Sequence, residues 1–240
     1  MNEKFKDIND KYLSKRNEFS NKIGNPNLFK YIDQFPLYAG KNTIGSKLFT
    51  YEIMKMVQNV PGHILEFGTW HGANLMFMAK TLQLLQPNSH KKLIGFDNFS
   101  GLPEATDIDG EYANNQVGNY NGSLEILKAA IDLYELENTI ELVIGDACET
   151  IIEFEKNRPE VMISLAYIDF DLYEPCKIAL EFIARRLAVG GAIIFDEAIS
   201  GLWPGETTAM FEFLEKFDGS FKMVANHITP QPTLCLIREK

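Results

Sequence analysis

The stretch HILEFGTWHGANLMFMAKTLQLLQPNSHKKLIGFD, residues 63–97, decides the fold. It opens on a short apolar run, turns through Gly68 and Gly72, takes helical spacing from Ala73 to Leu85, and closes on a second apolar run ending in Asp97. Short apolar runs without polar alternation read as strands buried on both faces. Two of them joined by a helix form a parallel βαβ unit. Outward from this unit the pattern repeats. Further strands are expected at 140–146, 164–170 and 191–196, separated by helical stretches Leu124–Leu136, Ala147–Lys156 and Cys176–Leu187. Upstream, Leu48–Gln58 is helical and Pro61-Gly62 stops it. Downstream, a helix over Thr207–Phe217 precedes strands at 221–227 and 233–239. The link between those two strands, ITPQP, is too short for a crossover, so they pair antiparallel.

Bulk composition narrows the classes. The 240 residues suffice for one domain, and 45% hydrophobic with 23% charged residues is ordinary for a globular chain. With 23 Lys plus Arg against 33 Asp plus Glu, the formal charge is −10. Nucleic acid and anionic membrane surfaces both need a basic face, so neither is the expected partner. Three cysteines without metal-ligand spacing point to a reducing compartment, and the polar N-terminus is no signal peptide. A cytoplasmic location follows as the expectation. Residues 1–42 are expected to form a helical or loop extension and 43–240 the main domain; a homodimer or larger homo-oligomer is compatible with this.

A mostly parallel seven-stranded sheet, sandwiched between helices and ending in an antiparallel hairpin, is the arrangement of class I S-adenosylmethionine methyltransferases, a Rossmann-like α/β fold. In open α/β sheets ligands bind beyond the carboxyl ends of the strands. Those ends are acidic: Glu66, Asp97, Asp146, the pair Asp169 and Asp171, and Asp196-Glu197. The spacing Gly68-x-x-x-Gly72 differs from a dinucleotide fingerprint, yet with Asp97 on the next strand it suits a nucleoside. Asp97 can accept both ribose hydroxyls, or serve only as a turn cap. Asp146 is placed near the adenine edge with Ala147 leaving room for the ring, or caps the helix that follows. Asp169, Asp171, Asp196 and Glu197 converging on one volume would repel unless compensated. A hard divalent cation, Mg²⁺, Mn²⁺ or Ca²⁺, is the simplest compensation; the alternative turns two of the four outward as caps. His71 and His227 are secondary candidates for the pocket, whereas His63 and His90 are assigned no role. Trp203 reads as a packing residue rather than an acceptor platform. The polar stretch 101–123, following the second strand, is expected to fold over the strand ends as a lid.

Four segments carry a family resemblance: PGHILEFGTWHGAN (61–74), FDNFSGLPEA (96–105), YIDFDLYEP (167–175) with ARRLAVGGAIIFDEA (184–198), and GLWPGETTAMFEFLEK (201–216). Together they resemble the macrocin O-methyltransferase family over about Thr43 to Lys240. The resemblance implies metal-dependent methylation of a hydroxyl on a sugar, a sugar nucleotide or a glycosylated natural product. It implies S-adenosylmethionine held by Glu66, Gly68, Gly72, Asn74, Asp97, Ser100, Asp146 and Ala147. It makes Asp169, Asp196 and Glu197 ligands of Mg²⁺ and Asp171 the general base. The chain departs from the family pattern at Pro175, Glu197, Ala198 and His71. The competing readings are a catechol-type phenolic O-methyltransferase and a non-catalytic S-adenosylmethionine-binding partner subunit.

Overall fold

The computed structural model describes residues 6–240, with side chains from residue 10 onward. The chain begins with α1 (Lys6–Lys22), α2 (Leu28–Ile32), α3 (Phe35–Tyr38) and α4 (Lys41–Met56). Then β1 (His63–Phe67), α5 (Ala73–Leu85) and β2 (Leu93–Asp97) form the expected βαβ unit. A short 3-10 turn (Asp107–Asp109), α6 (Gly110–Asn114) and α7 (Leu124–Leu133) lead to β3 (Ile140–Ile144) and α8 (Ala147–Asn157). The rest is β4 (Ile163–Ile168), α9 (Tyr173–Arg186), β5 (Leu187–Phe195), α10 (Pro204–Lys216), β6 (Phe221–Ala225) and β7 (Leu234–Arg238). Among the described residues no helix is long and apolar enough to cross a membrane.

The seven strands form one sheet in the order β3-β2-β1-β4-β5-β7-β6. Pairing is parallel from β3 through β5, and antiparallel for β5 with β7 and β7 with β6. Strand periodicity divides the core between two faces. Leu65, Phe67, Phe96, Ile168 and Phe195 face one helix layer with Phe154, Phe182 and Phe213. Ile64, Leu93, Leu165 and Ile194 face the other, with Ile53, Leu75, Met78 and Leu127. Burying side chains of this size contributes roughly 1.5–3 kcal/mol each, and at the sheet centre the stacked rings of Phe67 and Phe96 lie 5.0 Å apart.

Several element ends differ from the sequence expectation for local reasons. The helix expected at Cys176–Leu187 starts at Tyr173, because Pro175 is tolerated in a first turn that needs no amide donor there. Its predicted last residue, Leu187, opens β5 instead. The helix expected from Thr207 starts at Pro204, again a favoured first position. The one expected to reach Leu136 stops at Leu133, before Glu135 takes a left-handed φ of 55°.

The strand order reverses between β1 and β4. The crevice at this switch point lies above Phe67, Asp97, Ile168 and Phe195.

Candidate active site

A cleft of about 1020 Å³ opens at that end of the sheet. Its floor comes from the strand ends, its roof from 101–120, and one side from 196–203 and 230–233.

At the floor, Gly68 follows β1 with φ 91°, and a Cβ there would lie 1.9 Å from the Asp169 carbonyl. Only glycine lets these two strand ends touch. Asp97 braces the same turn. Its Oδ2 accepts from the amides of Thr69 and Trp70, both at 2.7 Å, and its Oδ1 from Phe99 at 2.6 Å. A carboxylate has about four lone-pair sites, so Asp97 is both a clamp and a cleft-facing acceptor with capacity left. Asp146 caps α8 by accepting from the Cys148 amide at 2.8 Å while lining the cleft beside Ala147. The Cys148 thiol is pushed up to about 11, by burial first and then by Asp146, so it stays protonated at neutral pH.

Four other cofactor candidates sit outside the cleft lining. Gly72 forms the left-handed turn before α5 with φ 80°. Ser100 is exposed and turns back to the Asn98 carbonyl. Glu66 is buried under the floor, where Asn74 donates to its Oε1 at 3.0 Å. Burial pushes Glu66 up to about 8, and its Oε2 has no partner among the described residues. Lys47 on α4 donates to Asn74 Oδ1 at 2.9 Å, completing a Lys47–Asn74–Glu66 chain behind the floor. Sequence reading missed Lys47. It sits in a helix ahead of the sheet motifs, and nothing local marks it as facing the strand ends.

Asp169, Asp171, Asp196 and Glu197 all line the cleft, as expected. They are not gathered tightly: among the described residues no three His, Cys, Asp or Glu side chains are close enough to hold a metal ion. Two of them are engaged by neighbouring side chains. Asp196 accepts from the Tyr167 hydroxyl, and Glu197 Oε1 from the Gln231 side chain. The donor chemistry nevertheless suits a hard cation. Desolvation, then the charges of Asp196 and Asp171, push Asp169 well above the usual carboxylate range, and among the described residues no Lys, Arg or His lines the cleft. Asp171 is raised to about 7, by burial first and then by Glu197 and Asp196. It is therefore a stronger base than an ordinary carboxylate. Its backbone is left-handed, φ 64°, at a cost of roughly 1–2 kcal/mol that sites of function retain. Glu206, not singled out in the sequence, is buried on α10 and accepts from the Glu197 amide at 3.0 Å.

The lid is ordered. Leu102, Ala113, Leu172 and Trp203 form a small core of their own, and Tyr112 and Tyr120 line the cleft beneath the lid. Trp203 does both jobs, packing in that core and lining the cleft. His71 and His227 are exposed and do not line it; Pro230, Gln231 and Thr233 occupy the side expected for His227.

This sheet order, the antiparallel edge and the acidic crevice at the switch point define a class I methyltransferase fold. More narrowly, the chain belongs to the Macrocin-O-methyltransferase (TylF) family, whose model matches residues 47–223. Its similar solved structures include CalS11, titled a calicheamicin methyltransferase, at 27% identity and TM-score 0.77, covering 96% of this chain and 91% of that one. An apo structure titled CalS11, TDP-rhamnose 3'-O-methyltransferase, is 26% identical with TM-score 0.67, covering 97% and 94%. A Streptomyces olivaceus relative, 8-demethyl-8-(2,3-dimethoxy-alpha-L-rhamnosyl)-tetracenomycin-C 4'-O-methyltransferase, is 27% identical over 148 residues, 59% of this chain. The match spans 55% of that relative's length.

Proposed function

We propose that the protein transfers a methyl group from S-adenosylmethionine to a hydroxyl of a sugar, sugar nucleotide or glycosylated natural product, with a divalent cation assisting. The observation that carries this is that Asp169, Asp171, Asp196 and Glu197 all line one cleft at the switch point, in a chain of this family.

When bound, S-adenosylmethionine supplies an electrophilic methyl carbon, and Mg²⁺ or Mn²⁺ supplies Lewis acidity toward a hydroxyl. Asp97 would offer its remaining lone pair to the ribose, and Asp146 with Ala147 would flank the adenine. Gly68 lets the backbone approach, while Glu66 and Asn74 support that turn from below. Asp169, Asp196 and Glu197 would hold the cation. Asp171 would take the acceptor hydroxyl's proton as the methyl group passes from sulfur to that oxygen, leaving S-adenosylhomocysteine. The lid over 101–120 excludes water and orients the acceptor, and orientation alone is worth several kcal/mol.

We assign residues 43–240 to the catalytic domain and 1–42 to an extension, a division supported by the family match starting at residue 47. A cytoplasmic setting is consistent with three cysteines that are free thiols.

The test incubates the protein with S-adenosylmethionine, Mg²⁺ and a panel of sugar nucleotides and glycosides, with mass spectrometry detecting addition of one CH₂. Product should form, vanish in excess EDTA and return with Mg²⁺ or Mn²⁺. Turnover unaffected by EDTA would sink the metal part; no product in any arm would sink the activity.

A further inference from the structure

Behind the cleft floor lie an unused donor and an unused acceptor of opposite charge. The donor is on α4, which is pinned on both sides of Lys47. A Cβ at Gly45 would lie 2.3 Å from Thr229 Cγ2, and Phe49 and Ile53 are buried in one core with Leu75 and Met76 of α5. The Lys47 ammonium is thereby held at the start of α5, where it donates to Asn74 Oδ1 at 2.9 Å. An ammonium carries three donors, and among the described residues only this one is used. Burial draws the pKa of Lys47 down, and the charges of Glu66, Asp196 and Asp169 oppose that shift. Yet among the described residues Lys47 makes no hydrogen bond to Asp169 or Asp196, the acids assigned above to the cation.

The acceptor is one amide away. Asn74 Nδ2 donates to Glu66 Oε1 at 3.0 Å, so Asn74 spans the two charges. Glu66 Oε2 is buried with no partner among the described residues, and so is the Thr69 hydroxyl three residues on. A buried carboxylate oxygen without a donor is costly to keep. α5 itself starts on Gly72 with no side-chain cap, which leaves its first-turn amides without a side-chain acceptor. Lys47 and this helix start thus favour an anion, and Glu66 beside them favours a cation. A metal ion alone does not match the pair, because Lys47 repels it. The complement is an amino-acid zwitterion, whose carboxylate and ammonium sit on a single carbon.

We infer that Lys47 holds the α-carboxylate of S-adenosylmethionine and that Glu66, oriented by Asn74, receives its α-ammonium. This rests on the methyltransferase reading above and adds a cofactor-binding residue from a helix outside the sheet motifs.

The experiment is calorimetric and needs no turnover. The full chain is titrated with S-adenosylhomocysteine, with its decarboxylated analogue, which keeps the amine, and with methylthioadenosine, which lacks both charges. Each titration is run in Mg²⁺ and in EDTA. The parent should bind S-adenosylhomocysteine at least about tenfold more tightly than the decarboxylated analogue, the worth of one charge-assisted contact. That preference should survive EDTA. Lys47→Gln keeps a donor for Asn74 and removes the charge; it should weaken S-adenosylhomocysteine by about tenfold and leave the other two ligands unchanged. Lys47→Arg should retain the preference. Glu66→Gln keeps an acceptor for Asn74 and should weaken both amine-bearing ligands while sparing methylthioadenosine. A parent with no preference for the carboxylate-bearing ligand would overturn the inference without any variant. So would a preference that EDTA erases, which assigns the carboxylate to the cation. A Lys47→Gln variant that loses none of the ligands, or all three equally, would make the lysine a structural part of the floor. In each of these cases the parent still binds S-adenosylhomocysteine, and the methyltransferase reading stands. If none of the three ligands binds the parent, that reading falls as well.

Discussion

Asp171 combines a left-handed backbone, a carboxyl raised to about 7 and a place in the cleft wall. Asparagine tolerates the left-handed region better than most residues, so Asp171→Asn tests the chemistry without a backbone penalty. Its kcat should fall by about two orders of magnitude or more, while the dissociation constant for S-adenosylmethionine stays nearly unchanged. Normal turnover would place the base elsewhere. A second prediction concerns stability at the opposite end of the sheet. His63 Nδ1 accepts from the Lys92 amide at 3.0 Å, which requires that nitrogen to be unprotonated. Burial first, then the positive charge of Arg158, lowers its pKa below the ordinary 6.5. The unfolded chain thus takes up a proton before the folded one does. The contribution of His63 is whole above about pH 6.5, is lost as pH falls toward the lowered folded value, and then levels off. His63→Asn keeps an acceptor for Lys92 and removes the titration. The slope of melting temperature against pH between about 7 and 5 should therefore become less positive in the variant than in the parent. Identical slopes would assign the histidine no part in it.

Of the elements, the lid shows most clearly what a sequence does and does not disclose. Its position was legible: a long polar stretch after β2 has to pass over the strand ends. Its internal order was not, because the residues that organise it come from three distant segments. Leu102 and Ala113 of the lid meet Leu172 and Trp203, which belong to other loops. At the join, Asp109 is 1% exposed and accepts from the Thr106 amide and hydroxyl, both at 2.7 Å, and from the Tyr173 amide at 2.6 Å. Gly205 makes room for it, since a Cβ there would lie 2.1 Å from Asp109 Oδ1. Read in sequence, Asp109 is one acid in a polar loop, and Gly205 an ordinary helix-start residue. Asp109→Ala strands buried donors on two segments, at a cost of about 3 kcal/mol. Denaturant unfolding should show that loss. Amide exchange should rise across 101–123, and KM for the acceptor should rise more than kcat falls. An exchange pattern confined to global unfolding would mean that the lid does not depend on this anchor.

For the whole molecule, the alternation of apolar runs and helical stretches was enough to give the sheet, its edge hairpin and the acidic rim, since β1 to β5 run parallel and display their carboxyl-end residues to the same side. The rest depended on how helices lie across the sheet. Lys47 reaches the floor from α4 and Glu206 comes in on α10, and neither register is written in local spacing. The same holds for side-chain direction, which is why four acids expected to converge line one cleft without forming a tight cluster among the described residues. This arrangement makes the cation's effect on folding a sharper test than its effect on turnover. A formal charge of −10, with several carboxylates lining one cleft, leaves the folded chain with like charges facing each other there. A divalent cation bound by Asp169, Asp196 and Glu197 of the native state alone would stabilise it by about 2.7 kcal/mol at a hundredfold excess over its dissociation constant. At roughly 2–4 °C per kcal/mol for a chain of this size, Mg²⁺ or Mn²⁺ should raise the melting temperature by roughly 5–10 °C. NaCl at matched ionic strength should not reproduce the shift, and Asp169→Asn with Asp196→Asn should abolish it. A melting curve indifferent to Mg²⁺, Mn²⁺ and Ca²⁺ would leave the carboxylates to act through Asp171 and hydrogen bonding alone.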